Sequence, residues 1–490
     1  MRIISGDQTD NPATNSKTEN AVLVVDLDGT LVRSDLLFET FWSSLSQDWR
    51  TPFIALTALT NGRAALKKRL TDLSSVDVSS LPYNDEVIDY AKRWKSEGGR
   101  TALVTASDQG LADRIAEHLG IFDEVHGSSG TNNLKGSRKA DFLAGHFAGA
   151  DLAYMGDSKA DIPVWKQTSK SITVNAAPDL RKRVEALGDN FEHLSAHAPV
   201  VSAYLKALRP HQWLKNILVF LPMLAAHALT GPIFLQSLLA FVSFCLIASS
   251  VYVLNDLLDL AADRAHPRKC RRPLASGSIP IIHGMLMVPV LFILGLGVAL
   301  FLGPDFLLVM VGYYVVTTAY SLFLKRSTII DICTLAGLYT IRILAGGVAT
   351  GIPISIWLLA FSIFFFFSLA AIKRQAELVD GAASSALAPI GRGYHVGDLP
   401  LITNMATASG YVSVLVFALY LNSPAVSKVY STPTALWGIC LVLLYWISRM
   451  VMVTHRGRMH DDPIVYAVKD RISQLCLLLI LAFALIGTLV

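Results

Sequence analysis

Asn255-Asp256-Leu257-Leu258-Asp259-Leu260-Ala261-Ala262-Asp263 closes a long apolar stretch and runs straight into a basic string, Arg264, Arg268, Lys269, Arg271 and Arg272. The i, i+3, i+7 spacing of Asp256, Asp259 and Asp263 puts three carboxylates on one face of a helix. Carboxylates crowded beside hydrocarbon neutralise, pair or coordinate a cation. Mg2+ is the natural guest, because it takes carboxylate oxygens and usually brings a substrate phosphate with it. The stretch therefore predicts a metal-diphosphate site at a membrane surface.

The chain around it is 490 residues long, 52% hydrophobic and 16% charged, too long for one ordinary domain and too apolar to be wholly soluble. The apolar residues are unevenly spread. Residues 1 to about 205 have ordinary soluble composition, whereas the rest holds repeated apolar runs near the ~20 residues that span a bilayer core of about 30 Å. Nine spans are expected, at roughly 213–231, 233–254, 282–303, 305–324, 328–349, 353–372, 400–422, 433–454 and 470–490. With the soluble part inside, the inner connections carry Lys206, Arg209 and Lys215, the string after Asp263, Lys325 with Arg326, Lys373 with Arg374, and Arg456, Arg458, Lys469 and Arg471. The outer connections near Thr230, Gly303, Gly351 and Ser423 hold one lysine, Lys428. The positive-inside rule thus gives a multi-pass protein of the inner (plasma) membrane, its N-terminal domain cytoplasmic and its C-terminus outside. A formal net charge of +4 makes no case for nucleic acid as a partner. Cys245, Cys270, Cys333, Cys440 and Cys476 lie scattered without a C-x-x-C pair, so neither a disulfide framework nor a zinc site is indicated. Residues 1–20 are polar, lack the apolar core of a secretory signal, and are expected to be disordered.

In the soluble part, short apolar runs at Ala21–Asp26, Thr101–Thr105, Ala153–Met155 and Ser171–Asn175 alternate with helical patterns such as Leu111–Leu119 and Lys139–Phe147. That alternation predicts a parallel, doubly wound α/β sheet over residues 21–200, with its site at the carboxyl ends of the strands. Residues 35 to about 80 interrupt the rhythm and read as an inserted helical cap. Asp26 and Asp28, two residues apart just past the first run, suit phosphate chemistry. One carboxylate attacks phosphorus while the other serves as acid and then base. Gly29 allows a sharp turn whose N–H groups can hold phosphate oxygens. Thr105, Lys139 and the run Gly156-Asp157-Ser158-Lys159-Ala160-Asp161 follow in order, with Lys135 a rival for the lysine role.

These four pieces resemble the haloacid dehalogenase superfamily, and Lys139-Ala140-Asp141-Phe142-Leu143 looks closer to its phosphoserine-phosphatase-like branch. The resemblance implies a Rossmann-like domain in which Asp26 is the nucleophile and Asp28 the acid and base. Thr105 and Lys139 would bind the phosphoryl group, and Asp26, Asp28, Asp157 and Asp161 would hold Mg2+.

Asn255, Asp256, Asp259 and Asp263 are similar to the first acidic motif of the UbiA-type intramembrane prenyltransferases, over residues 205–490. That resemblance implies an all-α domain of nine transmembrane helices with Mg2+-dependent diphosphate chemistry. A user of prenyl diphosphates would carry a second acidic motif after the sixth span; here Ala371-Ile372-Lys373-Arg374-Gln375-Ala376-Glu377-Leu378 is basic instead. One acidic and one basic motif suit two different phosphates, a Mg2+-bound diphosphate and a lipid monophosphate. The pattern resembles the branch that moves phosphoribose from phosphoribosyl diphosphate to polyprenyl phosphate. Matching stretches include Arg209 to Asn216, Tyr320 to Lys325, Asp331-Ile332 and Arg342 with Ala345-Gly346-Gly347. On that resemblance Lys215, Asn255, Tyr320, Lys325, Arg342, Lys373 and Arg374 bind substrate, and Asp256, Asp259 and Asp263 hold the metal. Arg342, deep in an apolar span, is expected to face the phosphates or Asp331. The expected partners are polyprenyl phosphate, phosphoribosyl diphosphate and the bilayer, and a homo-oligomer is left open. A prenyl transfer from a polyprenyl diphosphate to an aromatic acceptor is the alternative transferase. A non-catalytic assembly protein that merely binds phosphates is the alternative outside enzymes.

Overall fold

The computed structural model describes residues 20–129, 133–194, 201–383, 393–424, 426, 430–459 and 462–489. The first nineteen residues of the expected tail, and Lys428, lie outside the described residues. The chain divides into two compact bodies, Met1–Ala207 with Val253–Met287, and Leu208–Tyr252 with Val288–Val490.

In the first body, strands β1 (Ala21–Val25), β2 (Arg100–Asp108), β3 (Glu124–Ser128), β4 (Asp151–Gly156), β5 (Lys170–Val174) and β6 (Phe191–Leu194) form one sheet in the order β3-β2-β1-β4-β5-β6. Every pairing is parallel, and Val24 of β1 lies opposite Ala102 of β2 and Tyr154 of β4. Central β1 reads Ala-Val-Leu-Val-Val because helices cover both its faces, so every position from Val22 on is buried. Leu23 and Val25 join one core, with Leu103, Ile115 and Met155. Val22 and Val24 join the other, with Leu143, Tyr154 and Trp165. The end of β1 therefore delivers Asp26 at the carboxyl edge, where the backbone turns through Gly29 at φ +75°. Helices Leu36–Gln47, Thr51–Thr60 and Arg63–Leu73 fill the expected insertion. Two strands were not foreseen: β3, Glu-Val-His-Gly-Ser, and β6, Phe-Glu-His-Leu, are short edge strands whose polar residues lack an apolar run.

The connection Val253–Met287 packs with this body. Arg264 reaches Glu39 of the Leu36–Gln47 helix in a two-pronged ion pair, Nη1 to Oε2 at 2.9 Å and Nη2 to Oε1 at 2.6 Å. Both side chains are almost fully buried, and Ser34 Oγ adds a 2.5 Å hydrogen bond to Oε1. Gly277, at φ +71°, lets the backbone lie against Arg33: a Cβ there would sit 3.0 Å from the Arg33 carbonyl oxygen.

Eight helices among the described residues are long and apolar enough to cross a bilayer. They are Gly231–Leu258, Ile281–Leu300, Pro304–Leu322, Ile330–Thr350, Ile356–Ala383, Leu399–Leu421, Trp437–His455 and Arg471–Leu489. The first of the nine expected spans, 213–231, is broken: a 3-10 helix, Pro210–Phe220, runs into the short helix Leu221–Ala225. Pro222 removes a backbone donor there, and His227 at φ +53° ends the run before Gly231. This segment packs closely on Ile330–Thr350: a Cβ at Gly346 would lie 2.1 Å from the Val219 carbonyl oxygen. Aromatic pairs fill the interior of the second body, including Tyr339 on Phe366 at 5.1 Å and Phe244 against Tyr313 at 5.0 Å.

Candidate functional sites

Asp26 extends from the end of β1, its own N–H donating to Met155 O at 2.9 Å. Lys139, in the first turn of helix Ser137–His146, places Nζ 2.8 Å from Asp26 Oδ1 and 3.0 Å from the Tyr154 hydroxyl. That hydroxyl donates to Asp161 Oδ1 at 2.8 Å. Asp161 Oδ2 in turn accepts from the N–H and hydroxyl of Ser158. Lys139, rather than Lys135, thus contacts the expected nucleophile; Lys135 lines the same cavity. Oxygen atoms of Asp26, Asp157 and Asp161 lie within 4.8 Å of one another, an all-oxygen set that fits Mg2+. Gly29 leaves room for it, since a Cβ there would lie 2.1 Å from Asp157 Oδ2.

Asp28 is held differently. Its Oδ1 accepts from Leu36 N, at the start of the cap, at 2.8 Å and its Oδ2 from Ser107 Oγ of β2 at 2.6 Å, so Asp28, expected among the metal ligands, is held by these donors and stands outside the three-aspartate cluster. Thr105 is buried inside β2, which runs on to Asp108, and its Oγ1 accepts from Ser107 N at 3.0 Å. Tyr154, Ser107 and Lys67, whose Nζ bonds Ala106 O, are site residues that the motifs did not point to. Tyr154 sits inside an apolar strand, where nothing in sequence marks a hydroxyl as functional.

Burial, reinforced by the Asp161 and Asp28 charges, pushes Asp26 up to about 6 even with Lys139 beside it. Burial also raises Asp28, with Asp35 adding to the shift, and raises Asp157 far above the carboxylate range. Burial opposes the Lys139 ammonium, yet Asp26 and Asp161 hold it protonated. Such crowded, desolvated acids are what a divalent cation relieves.

In the connection, Asp256 and Asp263 are both buried and converge on one guanidinium: Arg272 Nη1 lies 3.1 Å from Asp256 Oδ1 and 2.5 Å from Asp263 Oδ2. Asp259 marks the break between Gly231–Leu258 and the short helix Leu260–Ala265, so the expected single helical face is bent at its middle acid. The bend follows from Asp259 adopting a non-helical conformation, φ −99° and ψ 14°. A cation is therefore already in place at this cluster, and it is an arginine. Arg272 keeps about a quarter of its side chain exposed, whereas the Asp256 and Asp263 side chains are covered. Asn255 Oδ1 is a buried acceptor oxygen with no hydrogen-bond partner among the described residues.

The second body carries the basic residues. Lys215 and Lys373 share Asp462, at 2.7 and 3.3 Å from Oδ2, and Lys215 also lies over the Tyr339 ring. Burial works against the Asp462 charge, but Lys373 and Lys215 hold its carboxyl far below the usual range. Arg374 is fully buried between Asp331, at 2.9 Å, and Glu377. Tyr320 donates to the same Asp331 at 2.7 Å. Lys325 lies in the short 3-10 helix Leu324–Arg326, partly exposed. Arg342 departs from expectation: Nε donates to Asn216 Oδ1 at 2.9 Å, Nη2 to the Tyr313 hydroxyl at 3.1 Å and Nη1 to Leu338 O. With Phe244, Tyr313 and Tyr339 around it, this guanidinium is satisfied by neutral partners and ties three segments together. Asp462 was missed because it stands in a connection that reads as basic.

Residues 217–469 match the UbiA prenyltransferase family, and residues 23–166 match haloacid dehalogenase-like hydrolases. The uncharacterized protein y4nM of Sinorhizobium fredii is 38% identical over 462 residues, 92% of this chain and 88% of that protein. Nodulation protein NoeC of Azorhizobium caulinodans is 38% identical over 279 residues, 56% of this chain and 90% of that protein. Decaprenyl-phosphate phosphoribosyltransferase of Mycolicibacterium smegmatis is 33% identical over 299 residues, 59% of this chain and 92% of that protein.

Proposed function

From a chain that belongs to the UbiA prenyltransferase family and carries a haloacid dehalogenase-like hydrolase domain ahead of it, we infer a membrane enzyme that joins two phosphate chemistries. The membrane half transfers the 5-phosphoribosyl group of phosphoribosyl diphosphate to a polyprenyl phosphate. The N-terminal half hydrolyses a phosphomonoester, the 5-phosphate of that product.

The transfer rests on the basic set, Lys215 and Lys373 converging on the single acid Asp462 where a second metal-binding acid pair would stand. Two ammonium groups on one carboxylate leave an excess positive charge, which a lipid monophosphate can meet. In the acidic motif, Asp256 and Asp263 with the Asn255 carbonyl would hold Mg2+, which would neutralise the departing diphosphate. Arg272, the more exposed member of its cluster, would move from the two acids to the diphosphate oxygens. The lipid phosphate oxygen attacks the anomeric carbon and the carbon–oxygen bond to diphosphate breaks, so these side chains position and neutralise.

In the N-terminal site, Asp26 attacks phosphorus while Lys139 neutralises the phosphoryl oxygens. Asp28, raised by burial and hydrogen-bonded to Ser107, is suited to give a proton to the departing sugar oxygen and to take one from water afterwards. Mg2+ at Asp26, Asp157 and Asp161 would stabilise the charge on phosphorus.

Purified full-length protein with labelled phosphoribosyl diphosphate, polyprenyl phosphate and Mg2+ tests the transfer. Label appearing in the lipid extract is expected; label transferred only from a polyprenyl diphosphate to an acceptor would establish the prenyltransferase alternative instead.

A further inference from the structure

The cavity beside Asp26 has a volume of about 1200 Å³, above the roughly 300–1,000 Å³ of small-molecule pockets. A free sugar phosphate leaves much of it empty. Part of its wall does not come from the hydrolase sequence at all. Arg271, Pro273, Gly277, Ser278, Ile281 and Ile282, from the connection that follows the acidic stretch, line it, and Lys206 joins them.

That wall is fixed in place. The buried Arg264–Glu39 pair fastens the connection to the cap, and the close approach of Gly277 to Arg33 fastens it again thirteen residues later. Its character is also specific. Asp26, Asp28, Asp157 and Asp161 line the cavity where phosphorus is attacked, and Arg33, Arg63, Arg181, Arg271 and Lys206 add positive charge to it, the last two from beyond the hydrolase sequence. A monoester bound at Asp26 is already served by Lys139 and the metal cluster, so the further cations suit a second anionic group on the same substrate. Apolar surface adjoins them. Ile281 and Ile282 open a membrane helix, and Leu59 of the cap lines the cavity from a helix whose Phe53 and Leu56 are each 65% exposed. Exposed apolar side chains on a helix followed by Arg63 and Lys67 are what an interfacial, lipid-handling segment presents.

We propose, building on the phosphatase function inferred above, that this site acts on a lipid-linked sugar phosphate carrying two phosphates. The terminal monoester sits at Asp26, and the inner phosphodiester sits against Arg271 and Lys206. The connection of the membrane half is thus a specificity wall of the hydrolase. The reaction consumes one water: the bond from phosphorus to the sugar O5 breaks, O5 leaves with the Asp28 proton, and water releases inorganic phosphate from Asp26. The inner diester is untouched.

The test compares full-length protein in lipid nanodiscs on two substrates, polyprenyl-phosphoryl-5-phosphoribose and free ribose 5-phosphate, each followed by phosphate release. Wild type should prefer the lipid-linked substrate in kcat/KM. Arg271→Ala and Lys206→Ala should each lower that preference by about tenfold, through KM, as expected for losing a charge-assisted contact. Arg271→Lys should recover much of it. Transferase activity of the same variants reports that the membrane half is intact. If wild type cleaves ribose 5-phosphate but favours it, or if the preference survives both substitutions, the two-phosphate substrate is wrong while the phosphatase stands. If wild type cleaves neither and Asp26→Asn changes nothing, the phosphatase falls and the proposal with it.

Discussion

Asp26 and Lys139 form a buried ion pair, Nζ to Oδ1 at 2.8 Å, and each neutralises the other. Asp26→Asn removes the proposed nucleophile and should lower phosphate release by at least about 10³-fold, with little change in transfer activity. Lys139→Met should lower it by about 10²-fold or more and leave Asp26 harder to ionise. Because Asp26 is pushed up to about 6, a proton competes with Mg2+ for it below that pH. With the folded value above the ordinary one, the protonated form is favoured on the acid side. Asp157, raised by the same burial, binds a proton as well, so Mg2+ affinity at this site should fall by about tenfold per pH unit or more below pH 6, measured by titrating the metal-induced rise in thermal stability. Of these residues, Asp26, Lys139, Asp157 and Asp161 are legible in the sequence because phosphate chemistry needs those types in that order. Tyr154 and Ser107 are not, because a hydroxyl in a strand is silent until the strand is placed.

At the scale of elements, the most consequential contact is one that no motif announces. Glu39 looks like an ordinary acid in a cap helix, and Arg264 like one more positive-inside anchor, yet they bury each other. Arg264→Ala would strand Glu39 and should destabilise the N-terminal body by about 3–5 kcal/mol. Thermal unfolding should show a lowered midpoint, and the paired change Glu39→Gln with Arg264→Met should restore most of it. The same distance in sequence, 225 residues, is why pattern reasoning missed it. Central strands were readable because full burial demands continuous apolar runs, and the cap because it interrupts the alternation of strands and helices. The edge strands β3 and β6 were not, since half-exposed strands tolerate Glu and His. The first expected span is irregular for a related reason: its apolar residues satisfied composition, while Pro210 and Pro222 dictated a broken helical path.

For the whole molecule, joining a transferase to a hydrolase predicts which product appears. Wild type given phosphoribosyl diphosphate and polyprenyl phosphate should yield the dephosphorylated lipid-linked ribose. The Asp26→Asn enzyme should accumulate the species one phosphate heavier, resolved by mass spectrometry. The distribution of Lys and Arg further predicts that a single reporter cysteine placed at Gly303 or Gly351, in a cysteine-free background, is labelled from outside the cell. One at Ser327 should be labelled only after the membrane is opened.

The Glu39–Arg264 pair bears on how anything gets in. Caps that swing wide to admit a ligand do so on free hinges, and this one is riveted to a membrane connection by a shielded bidentate clasp. Prising it apart for each turnover would cost several kcal/mol. A substrate bound for Asp26 is therefore expected to pass a stationary gatepost instead of a flapping door.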